Sequence, residues 1–541
     1  MRTSLGKTES RRFIALLAAI VIALSALLCG CSHKGKTPVS PTEAPLPTAT
    51  PEADISPTEG GTLRLPMPVN ASRADPLIVN TEEMLHLFSL VYDSLLSVNS
   101  SGELEPRLCE SWSNEGNGVW LLRLREGVKW HDGSGTLTAD DVVSTYRALV
   151  SMEDSYYKYC LNHIVSLQSA GGLYIRVKMN IPGIIGLYSL TFPIRRSAEM
   201  MGTGAYRVER SDDHRVILTV NTDWWDKLPY IKRIIFDERD SNTTALASYE
   251  AGQLNLVPTD ILTAGKYYES GVTDVHDIMT QNMEVLLFNH SSSVFSDINL
   301  RFAVAHGINR SRIITNVYMN RARAADVPIP PDNWLYDSRC AVLNYDPDTA
   351  LDLIVESGYT VLSKEGLRFS KTGGHLSVKL LTSATTENTV RSDAANMIAS
   401  QLNELGFKVE VVTAAHTLGD PESDFIKALH SGGWDMALVG FNLSQSNELS
   451  SYFDAGGANN FGHISDSRLR LLAQSMLSAP GEEELRDAAY ELQSYFVENV
   501  PFVTLYFRLN SIICSAQIRG IDGAREPLLF EEEKLWFISS N

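Results

Sequence analysis

The side chains that could act as acids, bases or metal ligands stand far apart in this sequence. His131 lies in a Trp-His-Asp-Gly segment, and Asp140 and Asp141 form a pair of neighbouring carboxylates. No two histidines are three or four residues apart, so a zinc-binding pair on one helix face is absent from the sequence. It also has no Gly-x-Ser-x-Gly turn. The sequence therefore predicts a protein that is not an enzyme, with no cofactor and no bound metal, and it disfavours a surface hydrolase.

The paired aspartates are better explained by the start of a helix than by catalysis. Residues 120–124 alternate as in a strand with one buried face, and Asp132-Gly133 marks a turn. Thr138 then stands where a helix N-cap is expected, with Asp141 three residues later. Carboxylates in the first turn of a helix complement its dipole.

The second half of the chain alternates between predicted strands and helices. Asp346 followed by Pro347 marks one helix start, and Ser392 and Gly406 enclose another helix. Strands are predicted at residues 378–381, 407–412, 435–441 and 502–507. This alternation predicts βαβ units and a mostly parallel sheet.

Three short motifs in the first half are informative together. They are Glu110-Ser111-Trp112, the run from Leu124 to Gly133 and the run from Leu137 to Val143. In this order and at this spacing they resemble the signature of the peptide/nickel/oligopeptide-type extracellular solute-binding proteins, family 5, of bacterial ABC importers. Further matching segments are Gly202 to Tyr206 and Asn299 to Arg310, and the resemblance covers about residues 60–517.

The resemblance implies both a fold and a division of the chain. The fold would be α/β and two-lobed, of the class II periplasmic-binding-protein-like type, with mixed sheets flanked by helices and an extra subdomain in the first lobe. The expected divisions are lobe I at residues 60–283, with the subdomain at about 75–200, lobe II at 284–497, and a return to lobe I at 498–541. Ligand would bind between the lobes and be delivered to the permease and ATPase subunits of an importer.

The N-terminus has the features of an export signal. A basic segment precedes the apolar residues 13–28, which are fewer than the roughly 20 needed to span a bilayer. Leu28-Cys29-Gly30-Cys31 resembles a lipobox, so we expect a signal peptide at residues 1–30 and lipidation of Cys31; the alternative is an uncleaved signal anchor. The Pro/Thr-rich residues 31–59 predict a disordered tether. The expected location is the extracytoplasmic face of the cell membrane.

The charge of the chain restricts its partners. The formal net charge is −19 at pH 7. This excess of acidic residues argues against nucleic acid and against an anionic membrane surface as partners, which leaves the lipid anchor as the expected membrane contact.

Four cysteines follow Cys31, namely Cys109, Cys160, Cys340 and Cys514. None belongs to a Cys-x-x-Cys pair, and a chain of this size does not need disulfides for stability. Isolated thiols and a Cys109–Cys160 disulfide both remain open.

Candidate ligand contacts lie at the ends of predicted strands, where open α/β sheets bind ligands. The candidates from the first lobe are Met67 and Asn70. Those at the crossover between the lobes are Asn289 and His290, and those after the last strand of the second lobe are Phe441, Asn442 and Ser444. For each of these residues the alternative is a core or loop position without ligand contact, and for His290 it is an exposed loop.

The segment from Gly440 to Gln445 departs from the family in one respect. Peptide-binding relatives often have Gly-Trp and an Asp just after this strand, and that Asp pairs with the amino terminus of the peptide. Here the segment reads Gly-Phe-Asn-Leu-Ser-Gln. A peptide, a neutral oligosaccharide and a metal chelate therefore all remain candidate ligands, and a surface sensor on the same scaffold is the alternative to an importer subunit.

Overall fold

The computed structural model describes residues 56–539, apart from 72–74, 79–80, 154, 197–200, 269, 341, 385–388 and 418. The described residues belong to one compact unit, Ser56–Asn541. The predicted signal peptide, Cys31 and the tether up to residue 55 lie outside the described residues.

The described elements alternate between helices and strands along the chain. The α-helices are α1 (Glu82–Val91), α2 (Ala139–Ser151), α3 (Asn242–Glu250), α4 (Ile298–Gly307), α5 (Arg310–Asn316), α6 (Pro347–Glu356), α7 (Val390–Glu404), α8 (Asp424–Ser431), α9 (Ser450–Phe453), α10 (Ser467–Ser478) and α11 (Glu482–Asn499). The strands are β1 (Thr62–Met67), β2 (Leu96–Val98), β3 (Leu104–Pro106), β4 (Cys109–Gly116), β5 (Val119–Leu124), β6 (Ile164–Gly171), β7 (Tyr174–Met179), β8 (Tyr206–Asp212), β9 (Arg215–Val220), β10 (Arg233–Glu238), β11 (Leu256–Thr259), β12 (Thr273–Phe288), β13 (Ala322–Ala324), β14 (Val361–Leu362), β15 (Arg368–Phe369), β16 (Ser377–Ala384), β17 (Lys408–Ala415), β18 (Met436–Asn442), β19 (Phe502–Ser515), β20 (Ile518–Arg519) and β21 (Phe537–Ile538). Short 3₁₀ helices lie at Tyr156–Asn162, Ile184–Leu190, Leu262–Tyr267, Ile521–Gly523 and Glu533–Leu535.

The first strand belongs to a four-stranded sheet with the order β1-β10-β9-β8. β1 and β10 are parallel, whereas the other neighbours are antiparallel. The end of α1 packs closely against the Gly-Thr-Gly segment that precedes β8. A Cβ atom on Gly202 would lie 2.0 Å from the carbonyl oxygen of Val91, and one on Gly204 would lie 2.7 Å from that of Leu90. Both glycines are therefore needed for this close approach.

A second four-stranded sheet, β4-β5-β7-β6, is entirely antiparallel. Helix α2 follows it with the predicted capping box. The hydroxyl of Thr138 accepts from the Asp141 backbone N–H at 3.3 Å, and the Asp141 carboxylate accepts from the Thr138 N–H at 2.9 Å. The prediction for Thr138 and Asp141 is confirmed.

The largest sheet has seven strands, in the order β11-β19-β12-β18-β16-β17, with β13 paired to β19. β16 is parallel to both β17 and β18, whereas β12 is antiparallel to β18 and β19. The sheet is thus mixed, and the prediction of a mostly parallel sheet was wrong, because β11, β12, β13, β18 and β19 pair antiparallel. β12 has 16 residues, and β19 has 14, so β19 extends well beyond the strand predicted at residues 502–507.

Two predicted helix boundaries were wrong. Helix α7 is capped by Thr389 and not by Ser392, whose hydroxyl instead donates to the Thr389 carbonyl at 2.8 Å. The apolar pattern of the sequence predicts a helix from Glu82 to Leu95. Helix α1 instead ends at Val91, because Tyr92 adopts extended backbone and the next residue, Asp93, pairs with buried Arg107.

Buried apolar side chains form two large clusters. The larger one includes Leu63, Trp120 and Phe236, and it joins the two four-stranded sheets. The other includes Val378 and Leu402, and it lies between the seven-stranded sheet and its helices. The larger cluster also includes Val285, Leu381 and Phe441 of the seven-stranded sheet, so the two clusters do not correspond one to one to two lobes. The residue numbers at which the lobes divide remain a prediction.

The four described cysteines are free, so the alternative of a Cys109–Cys160 disulfide was wrong. Cys109, Cys160 and Cys514 are buried and Cys340 is half-buried. Burial raises the pKa of the Cys109 and Cys160 thiols to about 12 in each case. None of the helices that the structure describes is both long and apolar enough to cross a membrane.

Candidate ligand-binding site

A cavity of about 250 Å³ lies where four separate stretches of the chain meet. These stretches are the 3₁₀ helix at residues 156–162, the middle of β12, the end of β18 with its following loop, and the C-terminal segment. The lining residues are Tyr156, Tyr159, Thr280, Gln281, Asn282, Asn442, Leu443, Ser444, Gln445, Glu526 and Pro527. We call this space the amide cavity, because four of these side chains are carboxamides.

An irregularity in β12 positions the first two amides. The pairing of β12 with β19 is interrupted between Met279 and Met283. Within the interruption, the Thr280 hydroxyl donates to the Arg508 carbonyl at 2.9 Å and accepts from the Asn282 N–H at 3.0 Å. The side chains of Gln281 and Asn282 are therefore held at the cavity by a fixed backbone.

The alternation of β18 positions the third amide. Phe441 packs inward with its ring 5.0 Å from that of Tyr452, so the neighbouring side chain of Asn442 points to the opposite, exposed face. Asn442 is also the register partner of Asn282 on β12. The two carboxamides consequently lie side by side in the cavity wall.

The fourth amide, Gln445, is 7% exposed. Its Oε1 atom and the Oε1 atom of Gln281 are buried and accept no hydrogen bond from any described residue. Both oxygens have almost no accessible surface, so they lie behind the cavity wall and do not face its interior.

Tyrosines from the 3₁₀ helix form the apolar part of the wall. The rings of Tyr156 and Tyr159 meet edge to face with their centroids 5.7 Å apart. Burial raises the pKa of Tyr159, so its phenol stays protonated at neutral pH. This side of the cavity offers aromatic surface for an apolar face of a ligand.

Glu526 is the one carboxylate among the described lining residues, and it is 6% exposed. Its Oε2 atom lies 3.5 Å from His86 Nε2, and Asn510 donates to its Oε1 atom at 3.4 Å. The carboxylate therefore already has partners within the protein.

A second cavity of about 380 Å³ adjoins β12 and the start of α7, and we call it the arginine cavity. It is lined by Asp260, Leu262, Glu284, Tyr318, Ser383, Ala384, Thr389, Val390, Arg391, His416 and Arg508. Glu284 and Arg391 form a two-point ion pair at 2.9 and 2.8 Å. Burial alone would lower the pKa of Arg391, but the Glu284 carboxylate offsets this and holds the pKa above its ordinary value.

A third cavity of about 270 Å³ shares Gln281 with the amide cavity. Its charged lining residues are Asp277, Asp332, Asp522 and Arg525. Burial raises the pKa of Asp332. In the part of the chain that the structure describes, no three His, Cys, Asp or Glu side chains converge as metal ligands would.

The three cavities follow one another along β12. Residues 277–279 and 281 line the third cavity, residues 280–282 line the amide cavity, and Glu284 lines the arginine cavity. The long strand thus contributes residues to the walls of all three cavities.

Similarity to known proteins identifies the family of this chain. Residues 103–462 match the model of the bacterial extracellular solute-binding proteins, family 5. The chain belongs to this family. The oligopeptide-binding protein AppA of Bacillus subtilis is 23% identical over 499 residues, which cover 85% of this chain and 88% of AppA. The nickel-binding periplasmic protein of Escherichia coli is 23% identical, with 68% of this chain and 73% of that protein covered.

Solved structures give the same result for the fold. HbpA2 from Haemophilus parasuis superposes with a TM-score of 0.77 at 18% identity, covering 88% of this chain and all of that chain. The two-lobed α/β fold predicted from the sequence is confirmed, as is the resemblance to this family.

The predicted ligand contacts lie in different places in this family 5 protein. Asn442 and Ser444 line the amide cavity. Met67 lines a separate cavity of about 190 Å³, which also includes His86. Asn70 is exposed and lines none of the four cavities described here.

Asn289, His290 and Phe441 also lie outside the walls of these cavities. The Asn289 amide donates to the carbonyls of Gly432 and Trp434, at 3.2 and 2.9 Å. His290 Nε2 lies 2.8 Å from the Pro501 carbonyl oxygen, and burial lowers the pKa of its imidazole. As ligand contacts, these residues and Asn70 remain predictions.

The sequence analysis missed most of the amide cavity. Gln281 and Asn282 belong to a polar Thr-Gln-Asn run just before the apolar end of β12, and this change of polarity within a strand is a signal that could have identified them. Tyr159 and Glu526 lie far from Gln281 in the sequence, so no local pattern indicates that they share a cavity with it.

Proposed function

We propose that this chain is the extracytoplasmic substrate-binding lipoprotein of an ABC importer. It captures a peptide or a similar small solute in the cleft between its lobes and delivers it to the permease. The lipid anchor holds it at the cell surface, and the ATPase subunit acts on the permease and not on this chain. It performs no bond-making chemistry.

One observation carries the proposal. The amide cavity is built from four stretches of chain that are distant in sequence, and the exposed Asn442 amide and two tyrosines line its wall. Concave sites that combine aromatic surface with a few polar groups are where proteins bind small solutes. Family membership and the oligopeptide-binding relative support a peptide-like solute.

The first test identifies what the protein carries. The chain from Ser32 onward retains the whole compact unit. It would be purified without denaturation and examined by native mass spectrometry before and after unfolding. We expect a released small molecule, and a ladder of short-peptide masses would establish a peptide carrier. A single sugar or chelate mass would replace peptide with that solute.

The second test concerns transport. Deleting the gene should abolish uptake of the released molecule, and a copy of the wild-type gene should restore it. Normal uptake in the deletion strain would contradict the importer role.

The lipid anchor is tested separately. Metabolic labelling with an alkyne-bearing fatty acid should label the wild-type protein, and Cys31→Ala should abolish the label. Cys29→Ala is the matched control, because this residue would leave with the signal peptide. Labelling of the Cys31→Ala protein would contradict the assignment.

A further inference from the structure

If the proposed solute-binding function holds, Glu526 gives the amide cavity a preference for one class of ligand group. Glu526 lines this cavity, and its side chain is 7% exposed. It is the one carboxylate among the described lining residues, and none of these residues is a lysine, an arginine or a histidine. The cavity wall is therefore negatively charged whenever this carboxyl group is ionised.

The partners of the Glu526 carboxylate within the protein are distant and carry no permanent charge. His86 Nε2 lies 3.5 Å from Oε2, and Asn510 donates to Oε1 at 3.4 Å. Ordinary hydrogen bonds from nitrogen to oxygen are about 2.7–3.2 Å long. The imidazole of His86 is charged only when it is protonated. The preceding residue, Arg525, donates to the backbone carbonyls of Asn99 and Glu526 and not to this carboxylate.

A carboxylate in this position is costly to ionise without a cation beside it. Moving a charged group from water into a protein interior is unfavourable unless an opposite charge and hydrogen bonds compensate for the lost hydration. Hydrogen bonds between an ammonium group and a carboxylate are roughly twice as strong as those between neutral groups. A cationic group of the ligand would therefore supply the compensation that His86 and Asn510 supply only at long distance.

Other side chains of the cavity wall also suit a cation. Tyr156 and Tyr159 contribute aromatic rings, and the electron-rich face of such a ring attracts a cation within about 6 Å of its centre. Asn442 and Ser444 are exposed, and their side-chain oxygens accept hydrogen bonds. The three donors of an ammonium group can be satisfied by these oxygens together with the Glu526 carboxylate.

We infer that the amide cavity binds a primary ammonium group of the ligand, with the Glu526 carboxylate as its counter-charge and the two tyrosine rings beside it. A peptide carries this group at its amino terminus, and a polyamine carries it at its chain ends. Glu526 lies outside residues 103–462, the part of the chain that matches the family model. The counter-charge thus comes from the C-terminal segment and not from the loop that follows β18.

Titration calorimetry on the chain from Ser32 onward tests the inference with three probes. They are tetra-alanine with both ends free, N-acetyl-tetra-alanine with a free carboxyl end, and spermidine. We expect at least one of the two amine probes to bind. Acetylation removes the positive charge of the peptide and should raise its Kd at least tenfold. Binding of tetra-alanine and binding of spermidine separate the two sources of the ammonium group.

A variant of Glu526 connects the binding to the cavity. Glu526→Gln removes the charge at nearly constant volume and should raise the Kd of the amine probe at least tenfold, so that free and acetylated peptides bind alike. Glu483→Gln is the control and should leave the Kd unchanged, because Glu483 is exposed on the first turn of α11. The acetylation comparison uses the wild-type protein and does not depend on the folding of Glu526→Gln.

The thermal unfolding midpoint separates a ligand contact from a structural role. Because Glu526 has no close partner in the described protein, the midpoint of ligand-free Glu526→Gln should not fall below that of wild type. A lower midpoint with an unchanged Kd would make Glu526 a structural partner of His86 and would overturn the inference.

Two results with the wild-type protein would also overturn it. One is a rise of less than tenfold in the Kd of a bound peptide on acetylation, and the other is failure of both amine probes to bind. A protein that still releases a small molecule in native mass spectrometry would then keep its solute-binding function and lose only this assignment. A protein that releases nothing and binds no probe would contradict both.

Discussion

Glu284 and Arg391 form a two-point ion pair that connects β12 to the first turn of α7. Arg391 Nε lies 2.9 Å from Glu284 Oε2, and Nη2 lies 2.8 Å from Oε1. The Glu284 side chain is 3% exposed and that of Arg391 is 25% exposed. Gly440, the register partner of Glu284 on β18, leaves room for the pair: a Cβ atom there would lie 2.3 Å from Arg391 Nη2.

Glu284→Gln should destabilise the protein, because it leaves the Arg391 guanidinium largely desolvated and without its counter-charge. Removing one partner of a buried ion pair costs about 3–5 kcal/mol, and the partial exposure of Arg391 places the expected loss near the lower value. Urea unfolding at neutral pH measures it. Glu115→Gln is the control: it breaks the exposed pair with Arg176 and should leave the unfolding midpoint unchanged. Equal midpoints for wild type and Glu284→Gln would refute the prediction.

Gly440→Ala should weaken the same ion pair by a steric route. The added methyl group would displace the Arg391 side chain. It would also lie 3.0 Å from Glu284 Oε1, so it has no room to move toward the carboxylate. The expected loss is about 1–3 kcal/mol, typical of overpacking. Because both variants act on one contact, their effects should not add in the double variant. Additive losses in urea unfolding would show that Gly440 acts independently of the pair.

Glu533 should give the protein a pH-dependent stability. Its side chain is 3% exposed and lies 3.8 Å from Arg107, and burial raises its pKa to about 8. In the folded state the Glu533 carboxyl therefore keeps its proton up to about pH 8, whereas in the unfolded state it loses that proton above its ordinary pKa of 4.5. The contribution of Glu533 to the free energy of unfolding is fully present below pH 4.5 and is lost as the pH rises toward about 8.

Glu533→Gln removes this titration and should gain stability relative to wild type between pH 5 and pH 9. A pKa difference of one corresponds to about 1.4 kcal/mol, so the relative gain is on the order of a few kcal/mol. Urea unfolding at pH 5, 7 and 9 measures the difference. Glu483→Gln, on the exposed first turn of α11, is the control and should run parallel to wild type. If the free energy of unfolding of Glu533→Gln also differs from that of wild type by the same amount at all three pH values, the predicted pH dependence is excluded.

The parts of the fold that the sequence predicted well depend on local chemistry. The capping box of Thr138 and Asp141 and the start of α6 at Asp346 and Pro347 each involve side chains that bond to backbone within three residues. Residues this close in sequence meet whatever the rest of the chain does. The helix start predicted at Ser392 was wrong because the Ser392 hydroxyl donates to the Thr389 carbonyl. The sequence pattern does not distinguish this hydrogen bond from that of an N-cap.

The site depends on long-range contacts, and the sequence predicted less of it. Strand alternation allows only one of Phe441 and Asn442 to face the amide cavity, and the packing of Phe441 on Tyr452 selects Asn442. The irregularity at residues 279–283 exists only in the pairing of β12 with β19, more than 200 residues away. The alternation of side chains within β12 therefore does not indicate this irregularity.

Asn442→Ala should weaken ligand binding, because Asn442 lies in the cavity wall beside Asn282 and its exposed amide is available to the ligand. We expect the Kd of the ligand recovered from the protein to rise at least tenfold, which corresponds to about 1.4 kcal/mol. Calorimetry measures it. Asn162→Ala is the control, since Asn162 is exposed at the end of a 3₁₀ helix and lines none of the cavities. An unchanged Kd with a normal unfolding midpoint would remove Asn442 from the site, whereas a change only in the midpoint would assign it a structural role in the pairing of β12 with β18.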